Sequence, residues 1–247
     1  MELLKRLYEI HSPSGHENEL LFFLRDWILE NDPEAEYRID DIGNIYVRKG
    51  EYAHCPVIVA HLDQAQEARS ADFQAVEAWD VIYGFSASHV LMEGLGADDK
   101  NGIWIALQCL RMFPSIKCCF FAREEEGCVG SKACDLTFFE DAHVVIACDR
   151  KGAQDLIINI EGTELCDQAF LSNIDYAAFG YQPQQGLMTD VGQLKKRGLQ
   201  APCINLSCGF YRPHTDEEYT RLPDLLNCLA FVEHIIAVQL PNNENRS

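Results

Sequence analysis

The sequence predicts an α/β protein: one domain, an α/β/α sandwich around a mixed, mostly parallel central sheet. Three observations carry that expectation. Short apolar runs at 56–60, 117–123, 144–148 and 203–206 alternate with stretches of helical periodicity, the order that makes parallel strands joined by crossovers. Four of five metal-capable segments lie just beyond those runs, and an open α/β sheet gathers ligands outside the carboxyl ends of its strands. No repeat, low-complexity tract or linker interrupts the 247 residues, a length suited to one large domain.

Element by element, Leu3, Leu4, Leu7 and Ile10 have helical spacing, broken at Ser12-Pro13-Ser14-Gly15. A second helix presents Leu20, Leu21, Leu24, Trp27 and Ile28 on one face and stops near Asn31-Asp32-Pro33. Residues 42–47 read as one arm of a strand pair turned at 40–44, and 56–60 as the first central strand. The stretch 64–94 is the least regular: 73–85 alternates like a hairpin about Ala78-Trp79-Asp80, and 86–95 reads as loop. From 99 to 112, Ile103, Ala106, Leu107 and Leu110 form a helical stripe. Strand, helix and strand repeat through residue 160, followed by a helix bearing Leu165, Phe170 and Ile174. Thr189-Asp190 caps a helix reaching Lys196. The last strand covers 203–206, a closing amphipathic helix begun by Pro223 runs 222–240, and the tail 242–247 is expected to fray.

Composition bounds the partners. A hydrophobic content of 47% supports a real core. A formal net charge of -19 argues against nucleic acid or an anionic membrane, since both need a basic surface, and bound cations are expected to offset part of it. The 11 cysteines are odd in number, scattered and without a C-x-x-C pair, so neither a zinc ribbon nor a thioredoxin-type motif is supported. Cys109, Cys119 and Cys148 sit in apolar runs as small hydrophobes. The polar start Met1-Glu-Leu-Leu-Lys-Arg is no signal peptide, and no apolar run approaches membrane-spanning length. A reduced, cytoplasmic setting is expected.

The metal-capable residues are His61 and Asp63, Asp98 and Asp99, Glu124 and Glu125, Asp149, and His214. Each is weak alone. His61 after a strand is as often an ordinary cleft histidine, though Asp63 is placed to hold its tautomer. Asp98-Asp99 also suits an acidic helix start. Glu124-Glu125-Glu126 resembles a solvated run, but it follows an apolar strand and enters a glycine-rich turn. Asp149 follows five apolar residues, where a carboxylate needs a partner. The other histidines (His11, His16, His54, His89, His143, His234) have no such company and read as structural or surface residues. Two histidines and several carboxylates converging on one crevice suit zinc or a neighbouring divalent ion, the pattern of a two-metal hydrolase.

The ordered set HLD, GADDKNG, FAREEEGCVGS, ACDRKG and PHTDEEY resembles the clan of co-catalytic zinc exopeptidases, which includes zinc aminopeptidases, peptidase T and the tetrahedral aminopeptidases. It extends from Ile10-His-Ser-Pro-Ser-Gly-His-Glu to Leu222-Pro-Asp-Leu, with GADDK and E-E-x-G-x-x-G-S its most specific parts. The resemblance implies a phosphorylase/hydrolase-like fold. It implies that His61 and Asp149 bind one metal, that Glu125 and His214 bind the other, and that Asp98 bridges both. Asp63 would orient His61, Asp99 would support the bridge, commonly through a cis peptide, and Glu124 would be the catalytic acid/base. Members with a lid or dimerisation domain insert it after HxD or before the final histidine. Here those gaps, 64–97 and 150–213, hold only 34 and 64 residues, which implies a catalytic core without a lid. Met188-Thr-Asp190-Val-Gly resembles a threonine–aspartate element near the site of the tetrahedral enzymes, in a supporting role.

The implied function is hydrolysis of short peptides by a dinuclear aminopeptidase, using a metal-bridging hydroxide and Glu124 as general base. Two Zn2+ ions are expected, with Co2+ or Mn2+ as alternatives, and a homo-oligomer is possible. A carboxypeptidase, dipeptidase or amide deacylase with the same centre stays open, as does a metal- or peptide-binding protein without turnover. Retention of Glu124 beside five ligands argues against the last. Arg150 and Arg212 flank metal-capable residues and would either clamp a substrate carboxylate or make structural ion pairs.

Overall fold

The computed structural model describes residues 1–50 and 54–239. The expected fraying of 242–247, and the last residue of the expected closing helix, Leu240, lie outside the described residues. The chain opens with α1 (Glu2–Glu9), α2 (Asn18–Asn31), β1 (Glu36–Ile39), β2 (Ile45–Lys49) and β3 (Cys55–His61). Next come β4 (Phe73–Ala78), β5 (Val81–Ser86), β6 (Leu91–Glu93), α3 (Ala97–Met112), β7 (Ile116–Phe121) and α4 (Val129–Ala133). The second half holds β8 (Ala142–Arg150), β9 (Asp155–Ile160), β10 (Thr163–Glu164), α5 (Gln168–Asn173), β11 (Gln182–Gly186) and α6 (Asp190–Lys196). It closes with β12 (Cys203–Ser207), β13 (Phe210–Tyr211), β14 (Tyr219–Arg221) and α7 (Leu222–Gln239).

The main sheet has the order β1-β2-β7-β3-β8-β12-β9-β10, with β11 also on β9. Its centre, β7-β3-β8-β12, is parallel, and β1-β2-β7 and β12-β9-β10 are antiparallel margins. Side chains alternate between two cores, as the period of a strand buried on both faces requires. Ile58, Cys118, Phe120, Val144, Ile146 and Ile204 join the core shared with α1, α2, α3 and α7. Their neighbours Val57, Val59, Cys119, Phe121, Val145 and Cys203 join the core under α6 and the 136–139 turn. Each fully buried Val, Leu, Ile or Phe contributes about 1.5–3 kcal/mol, so register is set from both sides.

One strand expectation needs revision and another is extended. The stretch 86–95 is not all loop, because β6 pairs antiparallel with β5. The 73–85 hairpin also belongs to a second sheet of order β13-β14-β5-β4, in which Thr220 lies opposite Ile82. This sheet joins residues far apart in sequence, which periodicity alone does not reveal. α7 is long and apolar enough to cross a membrane by length and composition, with mean hydropathy 1.3. Its Leu225, Cys228, Phe231, Val232, Ile235 and Ile236 are nevertheless buried in the core.

Candidate metal centre

The parallel strands β3, β7 and β8 end at one edge, and each delivers a polar residue there. His61, the last residue of β3, is held on three sides. Its N–H donates to Asp99 Oδ2 at 3.2 Å, and its Nδ1 lies 3.0 Å from the Asp63 backbone oxygen and 3.4 Å from Asp63 Oδ1. Asp149, near the end of β8, donates its N–H to Asn205 Oδ1 at 2.9 Å and accepts at Oδ2 from Thr189 Oγ1 at 2.8 Å. Thr189 precedes α6 as expected, but its side chain makes no cap bond to the helix and serves Asp149 instead.

Beyond β7 the chain makes a tight turn in which Gly127 and Cys128 donate to the Glu124 carbonyl at 2.8 and 2.7 Å. A Cβ at Gly130 would fall 2.3 Å from Asn44 Oδ1 and 2.6 Å from the Ala122 carbonyl, so only glycine fits there. The buried Asp63 carboxylate fixes the start of this turn. Its two oxygens accept from the Glu124 and Glu125 N–H groups at 2.8 and 3.0 Å, and Ser14 Oγ donates to it at 2.6 Å. The ring of His61 is thus steadied by the Asp63 main chain at least as closely as by its carboxylate.

Asp98 and Asp99 open α3 with non-helical backbone angles and a cis peptide bond between them. Glu218, fully buried, accepts from Gly96 N–H at 2.6 Å and Asp98 N–H at 3.1 Å. It therefore ties the segment carrying Asp98 to the segment carrying His214.

The five side chains meet in two groups that share Asp98. His61 Nε2 lies 3.1 Å from Asp98 Oδ1 and 3.5 Å from Asp149 Oδ1. His214 Nε2 lies 3.3 Å from Asp98 Oδ2 and 2.9 Å from Glu125 Oε1. Within each group the ligand atoms lie within 4.8 Å of one another. Among the described residues, the ion pairs of Asp98, Asp149 and Glu125 are with these histidines and none is with Lys or Arg. A nitrogen/oxygen donor set with surplus negative charge fits a divalent cation in each group.

The electrostatics reflect that surplus. Burial disfavours charge on His61, but hydrogen bonds to Asp149, Asp63 and Asp98 outweigh it and raise its pKa well above the ordinary value. Hydrogen bonds to Asp98 and Glu125 raise His214 to about 10. Burial opposes ionisation of Asp98, yet contacts with His214 and His61 hold it far below the carboxylate range. Burial, then the neighbouring Asp98 charge, lifts Asp149 to about 6. Burial is also the main cause that lifts Glu124 to about 9; His61 opposes it, and Asp149 and Asp190 add to it.

Glu126 points elsewhere, toward Arg123. Arg150 is engaged with Asp155 at 3.0 Å and Arg212 with Glu217. None of the six other histidines joins a metal-capable group among the described residues. Sequence reasoning missed Glu218, although it lies inside PHTDEEY, and missed Cys128, whose thiol lies 3.3 Å from Glu124 Oε1. A cavity of about 510 Å³ opens beside the centre, with Ile157, Leu187, Met188 and Phe210 among its apolar walls.

No family model matches the sequence, and no curated protein matches it. Solved structures do. Aminopeptidase PepT from Bacillus cereus has a TM-score of 0.77 at 13% identity, over 97% of this chain and 98% of that one. A tripeptidase from Staphylococcus aureus has 0.75 at 13%, over 96% of each chain. This chain has the fold of those peptidases. A third similar structure, the TET1 peptidase of Pyrococcus horikoshii, has a TM-score of 0.63 at 15% identity over 95% of this chain and 98% of that one. That protein can assemble into a tetrahedron or a large octahedral shell. The fold implied by the motif resemblance and the fold of these structures are the same.

Proposed function

We propose that this chain is a dinuclear metal-dependent exopeptidase, an aminopeptidase acting on short peptides. The observation that carries the reading is the pair of nitrogen/oxygen donor groups joined at Asp98, with the Glu124 carboxyl beside them. His61 and Asp149 would hold one ion, Glu125 and His214 the other, and Asp98 both. Such ions, zinc by the donor set, would lower the pKa of a bound water and polarise a scissile carbonyl.

The chain's own residues do the rest. Two bound cations would favour the ionised form of Glu124, which then takes the proton from the attacking water and returns it to the departing amine. Asp63, by accepting both N–H groups at 124 and 125, keeps the base and a ligand in fixed relation. The apolar cavity walls at Ile157, Leu187, Met188 and Phe210 favour an apolar substrate side chain. With Arg150 and Arg212 both engaged, a free amine facing Asp and Glu is the better-supported anchor. The fold family, shared with aminopeptidases and a tripeptidase, supports peptide chemistry. The chain would work as one cytoplasmic catalytic domain without a lid. Exposed Trp79, Val90 and Leu91 on or beside the second sheet offer a contact for a homo-oligomer.

A dipeptidase or carboxypeptidase reading draws on Lys151, a cavity residue without an ion pair among the described residues. The deciding experiment compares a free-amine peptide amide with the N-acetylated free acid. Faster cleavage of the amide is expected; faster cleavage of the acetylated acid overturns the aminopeptidase reading.

A further inference from the structure

Behind the base lies a third set of acidic side chains. Cys128 is fully buried and its Sγ is 3.3 Å from Glu124 Oε1. Asp190, at the start of α6, is 4% exposed, and its Oδ1 has no hydrogen-bond partner. One ligand atom each from Glu124, Cys128 and Asp190 lies within 4.8 Å of the others. No Lys, Arg or His makes an ion pair with Glu124 or Asp190 among the described residues. A buried carboxylate oxygen without a partner is costly, and a cation within this triad would supply one. Zinc–sulfur and zinc–oxygen bonds of about 2.3 and 2.1 Å at a tetrahedral angle put the two ligands about 3.6 Å apart. The 3.3 Å between Cys128 and Glu124 is already close to that edge. Glu124 and Thr189 both line the open cavity, which gives an ion a way in.

We propose that Glu124, Cys128 and Asp190 form a further divalent-metal site, thiolate-containing and inhibitory, which takes Glu124 out of catalysis when filled. Cys128 loses its thiol proton to solvent on binding, and water completes the coordination. A sulfur ligand makes the site selective for zinc or cadmium over magnesium or calcium. The inhibitory half rests on the role of Glu124 proposed above; the existence of the site does not.

The test titrates cadmium into the full chain loaded with two equivalents of zinc. The centre at Asp98 contains no cysteine, so cadmium exchanged into it gives no cadmium–thiolate charge-transfer absorbance. The expected result is one further equivalent by native mass spectrometry, with that absorbance rising in step. Cys128→Ala should lose the band, and Cys128→Ser serves if the alanine variant does not fold. Asp190→Asn should weaken uptake at least about tenfold, since even outer partners of a metal cost about 10–100-fold. Absence of the band, its persistence without Cys128, or unchanged affinity in Asp190→Asn overturns the site. With an aminopeptidase substrate, the band and the loss of hydrolysis should coincide; hydrolysis continuing at full rate with the band formed overturns the inhibitory role. Failure to hydrolyse any peptide sinks the peptidase reading alone, because band and stoichiometry still decide the site.

Discussion

Replacing Asp63 with Asn tests how the turn that carries both glutamates is held. The wild-type carboxylate accepts three hydrogen bonds, from Ser14 Oγ and from the N–H groups of Glu124 and Glu125. Asparagine keeps one acceptor oxygen, so whichever way the amide turns, its NH2 faces one of those two backbone N–H groups. That contact is lost, and a hydrogen bond to a charged group is worth about 1.5–3 kcal/mol. The surviving backbone contact goes from charged to neutral, which forfeits about half its strength. The total is about 3 kcal/mol. At roughly 2–4 °C per kcal/mol for a chain of this size, the melting midpoint should fall by about 6–12 °C. Differential scanning calorimetry of metal-free wild type and variant measures it. Burial opposes ionisation of Asp63, but contacts with His61, Ser14 and the Glu124 N–H prevail and hold its pKa below 3.8. Its stabilisation is therefore present above pH 3.8 and is lost as pH falls through the lower folded value. The gap between the two proteins should persist at neutral pH and close in strong acid. A variant within about 0.5 kcal/mol of wild type at neutral pH, the range of an ordinary surface change, would refute the argument.

Three further outcomes are expected. Glu124→Gln should retain metal while turnover drops by roughly 10²–10⁴-fold, whereas Asp98→Ala should lose metal; near-normal activity in Glu124→Gln removes the assigned base. Gly102→Ala, ordinarily a gain of about 1 kcal/mol in a helix, should instead destabilise by about 1–3 kcal/mol, because its Cβ would lie 2.3 Å from Asp99 Oδ1; a urea melt at or above wild-type stability contradicts this. Zinc added to metal-free protein at pH 7.5 in dilute buffer should release protons, since Asp98 and Glu125 hold His214 protonated up to about 10 and a ligating histidine must be neutral; an unchanged pH during saturating uptake excludes His214 as a ligand.

The elements that supply the site were legible in the sequence because their signals are local. A buried run ending in His61, another ending near Asp149, and a stripe after Asp99 each declare themselves within a few residues. The same holds for the order of motifs that points to the clan. What stayed hidden depends on distance. The pairing of β5 with β14 joins Ile82 to Thr220, and neither strand carries a mark of the other. Thr189 looked like a helix cap, and only the tertiary fold sends its hydroxyl to Asp149. Glu218 stood in a charged run whose bland reading is a solvated surface, yet it is fully buried and holds backbone N–H groups on either side of Ala97. Cys128 was one cysteine among 11, and nothing in its spacing distinguishes it from a core hydrophobe.

The second sheet gives the candidate centre a seam. His61, Glu125 and Asp149 hang from the ends of main-sheet strands, while His214 lies between β13 and β14, on the smaller sheet. Its side chain is 51% exposed, against 2% for His61. The seam is stitched by Glu218, through Gly96 and Asp98. Relative sliding of the two sheets would therefore open the Glu125–His214 position before the His61–Asp149 position. In the proposed two-metal centre the ions would then differ in lability, one exchanging readily with solution and the other retained, and a chelator would empty the pair in sequence.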